Sequence, residues 1–345
     1  MRNRIIVCFF AILLLGVTNI GFAQQGQQLQ EIQEGVVDLA EGISKSLPFN
    51  SALGLNWSDA YIGQVFPGSP AHFGAGISVG LTTMEMAPIE NLLGYLGSDI
   101  SLGWSKMPIP AYTVEGRIGG FSFPFDIGLK FGYLPSLAIS DITLNYLLVG
   151  GDIRYAVMDG MTNTARPNLS VGLGLNYLSG GVGASIGGTQ EISFDDYFTG
   201  YKYTILLDQP EMNLDWHTFS LDLKAQISKT FSILTPYLGL GGSYAWTSTG
   251  YSVNADVRMR RGSGAFNPIG QAEIDTLNRY LQDAGLEPMD IDAKGISSII
   301  ENSAFNVRAY GGFSVNLSAF RLDLTGLFNF LDQNLGVSLG FRFQK

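Results

Sequence analysis

The chain has 345 residues, of which 12% are aromatic and 14% charged, and its 44 glycines exceed the share that an average soluble domain carries. A formal net charge of −10 disfavours nucleic acid as a partner, because phosphate recognition depends on Lys and Arg. The single cysteine excludes a disulfide framework, and we expect neither a metal site nor a cofactor.

The first predicted element is a secretory signal peptide over residues 1–23. Two arginines precede an apolar run from Ile5 to Val17, and Gly21 and Ala23 supply small residues at the cleavage positions. The run is shorter than the roughly 20 residues that a membrane helix needs, so an uncleaved anchor is the less favoured alternative. We expect the mature chain to begin at Gln24, without the cysteine.

The second predicted element is an amphipathic helix within residues 24–50. Its apolar side chains recur at helical spacing, at Leu29, Ile32, Val36, Leu39, Ile43 and Leu47. Two placements stay open, a plug inside a barrel or a helix in the periplasm. Residues 51–66 are strand-like but would make an odd strand number, so they either form two short strands or pass through the lumen.

The rest of the domain predicted over residues 51–345 alternates apolar side chains with polar residues or glycine. The alternation recurs in segments of roughly the length that a tilted strand needs to cross a bilayer. These segments are 73–83, 111–121, 125–133, 147–157, 169–177, 219–227, 237–247, 305–315, 320–330 and 335–343. Because they share one apolar face and no separate core-forming run exists, we predict that lipid covers that face. The fold class is therefore all-β, a transmembrane antiparallel up-and-down β-barrel of about 10–12 strands.

The links between these segments alternate in length. Short links fall at 122–124, 158–167, 229–234 and 317–319, and long links at 84–110, 178–215 and 248–303. Outer-membrane barrels have short periplasmic turns and long external loops. The alternation therefore predicts long external loops on one side and a C-terminus in the periplasm.

Over residues 51–345 the chain resembles the bacterial outer-membrane β-barrel proteins. The resemblance rests on the signal peptide, the alternating strands, the aromatic strand ends and a last strand closing in Phe341-Arg342-Phe343, after which Gln344 and Lys345 follow. It implies a location in the bacterial outer membrane, with outer-membrane lipid and the outer-membrane insertion machinery as partners. Hydrophobic-compound channels of the fatty-acid transporter family are one subfamily to which the chain is similar.

Charged residues of both signs fall on the inward face of the predicted strands. They are Glu115, Arg117, Asp126, Lys130, Asp152, Arg154, Asp222, Lys224, Arg308, Arg321, Asp323 and Arg342. A barrel of about ten strands is only a little wider than its side chains, so such charges must pair or meet water. Two interpretations stay open, a salt-bridged closed interior and a narrow polar pore.

We predict a porin-like pore or transporter for small or hydrophobic solutes. The alternative is a structural or adhesive surface barrel whose external loops bind a ligand. Enzymatic activity is not expected, although Asp215-Trp216-His217 resembles the Asp-x-His pair of outer-membrane proteases of the omptin type. That pattern also needs paired acids, and Asp195 and Asp196 are adjacent, so they point to opposite faces of a strand. An interfacial Trp-His belt is the favoured interpretation.

Overall fold

The computed structural model describes residues 41–62, 71–85, 105–120, 124–139, 142–158, 166–185, 190–195, 202–268 and 295–345, with the single positions 38, 87, 270 and 275. The predicted signal peptide and most of residues 24–40 lie outside the described residues. Among the described residues, no helix combines the length and the apolarity needed to cross a membrane.

Twelve strands lie in the described part of the chain. They are β1 (His72–Glu85), β2 (Lys106–Gly119), β3 (Phe125–Ile139), β4 (Ile142–Met158), β5 (Asn168–Ser185), β6 (Gln190–Asp195), β7 (Lys202–Ser228), β8 (Leu234–Arg261), β9 (Asn267–Pro268), β10 (Gly295–Leu317), β11 (Phe320–Asn329) and β12 (Leu335–Gln344). Ten of them pair in the order β7-β5-β4-β3-β2-β1-β12-β11-β10-β8, and pairing of β8 with β7 closes the ring. β6 and β9 are short additions that pair with β7 and β8 outside this ring.

This closed antiparallel ring of ten strands confirms the predicted fold class, an all-β up-and-down β-barrel. The described part of each of the ten predicted segments lies on one barrel strand or within one residue of its end. The alternation of side chains also holds: on β11, Leu322 and Leu324 point outward, whereas Asp323 and Thr325 are buried inside. The period-2 pattern of the sequence is therefore the pattern of the two barrel faces.

The outer wall exposes a continuous set of large apolar side chains. Leu129 on β3 is 67% exposed and Leu223 on β7 is 61% exposed. An apolar surface that covers the whole wall would be unfavourable if it contacted water. Near the C-terminal end of the barrel, the ring of Phe320 stacks on that of Phe341 with centroids 5.6 Å apart. An apolar band bordered by aromatic rings is the exterior of a membrane-spanning barrel.

The two ends of the barrel differ. Strands β2, β4, β7 and β10 end on the same side of the barrel as the C-terminus, and we call this side the turn end; the opposite side is the hairpin end. Strands occupy much of the links predicted as long loops, since β7 and β8 have 27 and 28 residues and their pairing continues to Tyr203 and Arg261. Strand parts that extend beyond lipid need no apolar face, so the sequence pattern loses its period there.

The interior is filled by the residues that precede β1. A helix, α1, covers residues 41–50, and residues 51–62 continue as irregular chain that is buried throughout. Phe49 and Leu53 pack against Leu327 and two wall tyrosines, Tyr237 and Tyr310. Of the two alternatives for residues 51–66, the described part therefore passes through the lumen.

A left-handed turn bends this internal segment. Gly54 has φ of +80° and Leu55 has φ of 57°. A Cβ on Gly54 would lie 2.8 Å from Thr113 Oγ1 and 3.0 Å from Glu115 Oε1. Both the backbone conformation and the close approach to β2 therefore require glycine at this position.

Candidate functional site in the barrel lumen

Residues 41–62, which we call the plug, run through the lumen from the hairpin end to the turn end. At the hairpin side, Ser44 Oγ lies 3.2 Å from Thr249 Oγ1 of β8. At the turn end, the Ile62 N–H donates to Asp126 Oδ2 of β3 at 2.8 Å. The plug therefore spans the bore and then joins the chain leading to β1.

The twelve charged residues predicted on the inward face all lie inside the barrel. Arg321 keeps 19% of its side chain exposed. The other eleven are buried: Glu115, Arg117, Asp126, Lys130, Asp152, Arg154, Asp222, Lys224, Arg308, Asp323 and Arg342. Many of their contacts are with one another and with the plug, and others are with polar side chains of the wall such as Thr113 and Asn316.

The first charge cluster joins β2, β3, β4 and β7. Arg154 binds both carboxylate oxygens of Asp126, at 2.8 and 2.7 Å. Arg117 pairs with Asp126 at 2.6 Å and with Asp152 at 2.7 Å. Lys224 completes the cluster by pairing with Asp152. Charges this deeply buried are stable only when paired, so the cluster acts as a unit.

Strand register and one glycine build this cluster. Asp126 lies directly across from Arg154, and Gly128 lies between Arg117 and Asp152 on neighbouring strands. A Cβ on Gly128 would come within 2.7 Å of both the Arg117 guanidinium and the Asp152 carboxylate. The glycine therefore leaves the space in which these two side chains meet.

The second charge cluster joins the wall to the plug. Arg342 of β12 donates to Asp323 Oδ2 at 2.6 Å and to Asp59 Oδ2 of the plug at 2.9 Å, and Arg321 lies 3.5 Å from Asp59. The Asp59 carboxylate thus has two guanidinium partners, one on β11 and one on β12. Asp59 is therefore an anionic anchor of the plug.

Wall side chains also bind the backbone of the plug. Lys130 donates to the carbonyl oxygens of Ser51 and Leu53, each at 2.6 Å. Glu115 accepts from the Leu55 N–H at 2.9 Å. Further bonds of this kind run from Arg154 to the Asp59 carbonyl at 2.8 Å and from Gln226 to the Trp57 carbonyl at 2.7 Å. The predicted lumen residues thus hold an irregular segment in place.

Sequence reasoning missed the partners that the plug supplies. Trp57 donates its indole N–H to Glu115 at 2.7 Å, and the Arg342 guanidinium lies 4.7 Å from the centre of its ring. A Cβ on Gly74 of β1 would come within 2.7 Å of the same ring. The sequence did contain a signal for this contact. Gly74 is a glycine at an inward strand position, and Trp57 is an aromatic residue for which the strand pattern gave no place in the barrel wall.

A third group of polar residues lies on β7, β8 and β10. Arg308 donates to Asp222 Oδ2 at 2.8 Å. In the part of the chain that the structure describes, several other buried atoms here have no hydrogen-bond partner: Asp222 Oδ1, Ser243 Oγ, Asn306 Oδ1 and Nδ2, and Arg308 Nε and Nη1. We call Asp222, Ser243, Asn306 and Arg308 the polar cluster.

The Asp-x-His sequence on β7 faces away from the lumen. Asp215 and His217 are exposed on the outer side, whereas Trp216 between them points inward and is only 8% exposed. His217 Nδ1 lies 2.9 Å from Ser179 Oγ and 3.1 Å from the Tyr177 hydroxyl. His217 therefore lies in an outer aromatic and polar belt, from which Trp216 is absent.

The sequence matches no protein-family model, and the search of curated proteins finds no match. Among solved structures, the chain is similar to the translocator domain of autotransporter NalP from Neisseria meningitidis, at 9% identity and a TM-score of 0.33, with 90% of this chain and 97% of that chain covered. It is also similar to the Ralstonia pickettii toluene transporter TbuX, at 10% identity and a TM-score of 0.24, with 80% and 89% covered.

Proposed function

We propose that the protein is a gated passage for small solutes across the bacterial outer membrane, closed at rest by the plug. The apolar outer wall and the predicted signal peptide support this location. The observation that carries the proposal is the way the plug is held. Wall side chains bind its backbone through hydrogen bonds, as Lys130 does at Ser51 and Leu53.

Polar contacts of this kind suit a gate. A hydrogen bond between wall and plug can be exchanged for hydrogen bonds to water at small net cost, because both partners become solvated. A purely apolar contact would lose its burial free energy when the plug moves. The mixed charges of the bore would then meet a passing solute together with water.

The test is a covalent lock on the plug. Ser51 Oγ of the plug and Ser220 Oγ of β7 lie 3.1 Å apart, so cysteines at both positions can reach disulfide geometry with a small adjustment. The variant carries Ser51→Cys and Ser220→Cys. Cleavage of the predicted signal peptide removes the native cysteine, so no other thiol competes.

Solute flux is measured by swelling of vesicles that contain the full mature protein. We expect the oxidised double variant to lose flux and a reductant to restore it, while Ser51→Cys alone behaves as the wild type. Equal flux through the oxidised and reduced double variant would contradict gating by the plug. A wild-type barrel that passes no solute would contradict the passage itself.

A second candidate function is binding of an external partner at the projecting hairpins. β7, β8 and β10 have 27, 28 and 23 residues, whereas β11 and β12 have 10 each. Near the tip of β8, the Arg260 guanidinium lies 4.4 Å from the Phe266 ring in an otherwise acidic protein. Anionic surface partners suit this site. Retention on heparin, used as an anionic probe, should fall when Arg258 and Arg260 are both changed to Ala.

A further inference from the structure

The polar cluster is the part of the lumen in which hydrogen-bonding capacity is left over. Its residues are at least nine-tenths buried, from 0% exposure of Asn306 to 6% exposure of Asp222. The amide of Asn306 has neither a donor nor an acceptor partner among the described residues. A buried polar group without a hydrogen-bond partner lowers the stability of the fold. A site with several such groups is therefore suited to bind a small molecule or water that supplies the missing hydrogen bonds.

The unpartnered atoms are neighbours rather than scattered. Ser243 of β8 pairs in register with Asn306 on one side and with Asp222 on the other. Arg308 lies two residues after Asn306 on the same inward face, across from Gly241. A Cβ on Gly241 would come within 3.0 Å of the Arg308 guanidinium, so the glycine leaves the room that this guanidinium occupies beside β8.

A row of neutral hydroxyl groups leads from the hairpin end to this cluster. Thr249 and Thr247 lie between the hairpin end and Ser243 on the inward face of β8, with Ala245 in the same row. Thr247 bonds Thr218 of β7 at 3.0 Å, hydroxyl to hydroxyl. Such groups both donate and accept, so they offer exchangeable contacts to a hydroxylated solute.

The charges of the polar cluster determine whether it binds a charged or a neutral ligand. Arg308 and Asp222 neutralise each other at 2.8 Å, which leaves donors at Arg308 and Asn306 beside acceptors at Asp222 and Asn306. An anion or a cation would have to displace one partner of a buried ion pair, which is strongly unfavourable. A neutral molecule with several hydroxyl groups can satisfy both kinds of atom at once.

We propose that the polar cluster is a binding site for a small neutral polyol. The proposal rests on the proposed function, because it makes the cluster the solute site of that passage. Asn306 is its central residue: its amide reaches no other described partner, so its free donor and acceptor are available to the polyol.

The experiment measures binding separately from flux. Erythritol is titrated into the full mature protein in detergent and followed by saturation-transfer NMR, while vesicle swelling with erythritol reports flux. Asn306→Leu keeps the volume but removes both amide atoms, and it breaks no hydrogen bond that the described residues make with that amide. We expect this variant to bind erythritol about tenfold more weakly. Its unfolding temperature without ligand should be equal to that of the wild type or higher.

The matched control is Ser338→Ala, an inward and buried hydroxyl on β12, outside the cluster. It should bind erythritol as the wild type does. Equal affinity of Asn306→Leu and wild type would overturn the site, as would saturation transfer absent from the wild type, the result expected if water alone occupies the cluster. If erythritol binds but does not cross the membrane, the binding site stands and the proposed passage is contradicted. If erythritol crosses without binding, the passage stands and the binding site is contradicted.

Discussion

At the scale of single residues, Asp126 is the most heavily used group in the lumen. Its carboxylate is fully buried and accepts hydrogen bonds from Arg117, from Nε and Nη2 of Arg154, and from the backbone N–H of Ile62 in the plug. One side chain therefore connects the plug to three strands. Its neighbours depend on it, because two buried guanidinium groups lose an anion if it is removed.

We predict that Asp126→Asn lowers the free energy of unfolding by about 3–5 kcal/mol, the usual effect of leaving a buried charge without its partner. Urea titration in detergent micelles, followed by tryptophan fluorescence, measures the change. Glu41→Gln is the control. Glu41 forms an exposed pair with Lys45 at 3.4 Å, and such pairs contribute less than about 0.5 kcal/mol. Equal effects of the two variants would contradict the role of the cluster.

At the scale of elements, close contact between strands depends on glycines that look alike in sequence. Gly312 of β10 pairs with Thr325 of β11, and Gly311 pairs with Gly326. A Cβ at Gly312 would collide with the carbonyl oxygen of Leu324, whereas the nearest atom to a Cβ at Gly326 is 3.8 Å away. The same substitution should therefore have different consequences at these two positions.

Gly312→Ala should destabilise the barrel by about 1–3 kcal/mol, because backbone has to move to admit the methyl group. Gly326→Ala should leave stability nearly unchanged. The temperature at which the folded, faster-migrating form disappears in gel electrophoresis measures both. Equal temperatures for the Gly312→Ala and Gly326→Ala variants would show that the β10–β11 pairing is looser than described.

The direction of the plug gives a second prediction at this scale. Lys45 of α1 keeps 53% of its side chain exposed towards the hairpin end, and Ser263 lies exposed beyond β8 at the same end. Ser232 lies exposed in the link after β7, at the turn end. Short turns of outer-membrane barrels face the periplasm, so we predict that Lys45 and Ser263 face the cell exterior.

Single cysteines at these positions report their side of the membrane. A membrane-impermeant maleimide should label Ser263→Cys and Lys45→Cys on intact cells, and Ser232→Cys only after the outer membrane is permeabilised. Labelling of Ser232→Cys on intact cells, with protection of Ser263→Cys, would reverse the orientation. Protection of Lys45→Cys alone would mean that the plug enters from the other end.

At the scale of the whole molecule, alternation in the sequence was sufficient to predict the barrel wall. Leu322 faces outward and its neighbour Asp323 faces the lumen, so the alternation of apolar and polar residues along the chain indicates a strand with two different faces. The inward position of the charged residues followed from the same rule. The same rule could not predict which charged residues pair with each other, because the pairs depend on which residues the strand register places side by side.

The plug and the projecting hairpins could not be predicted in the same way. Residues 51–62 are irregular and surrounded by side chains on all sides, so they have no single apolar face and no period. Their strand-like residues, such as Trp57, are buried against Glu115 and Arg342 rather than against lipid. The outer parts of β7 and β8 extend beyond the apolar band, where alternation is not required.

The claim on which the rest depends is that lipid surrounds the apolar outer wall. Nitroxide labels attached to cysteines at Leu129, Leu223 and Leu339, all exposed on that wall, test it in reconstituted vesicles. We predict that their collisions with oxygen, which concentrates in lipid, exceed those with a water-soluble nickel complex at all three positions. Collisions dominated by the nickel complex at these positions would contradict a membrane-embedded barrel.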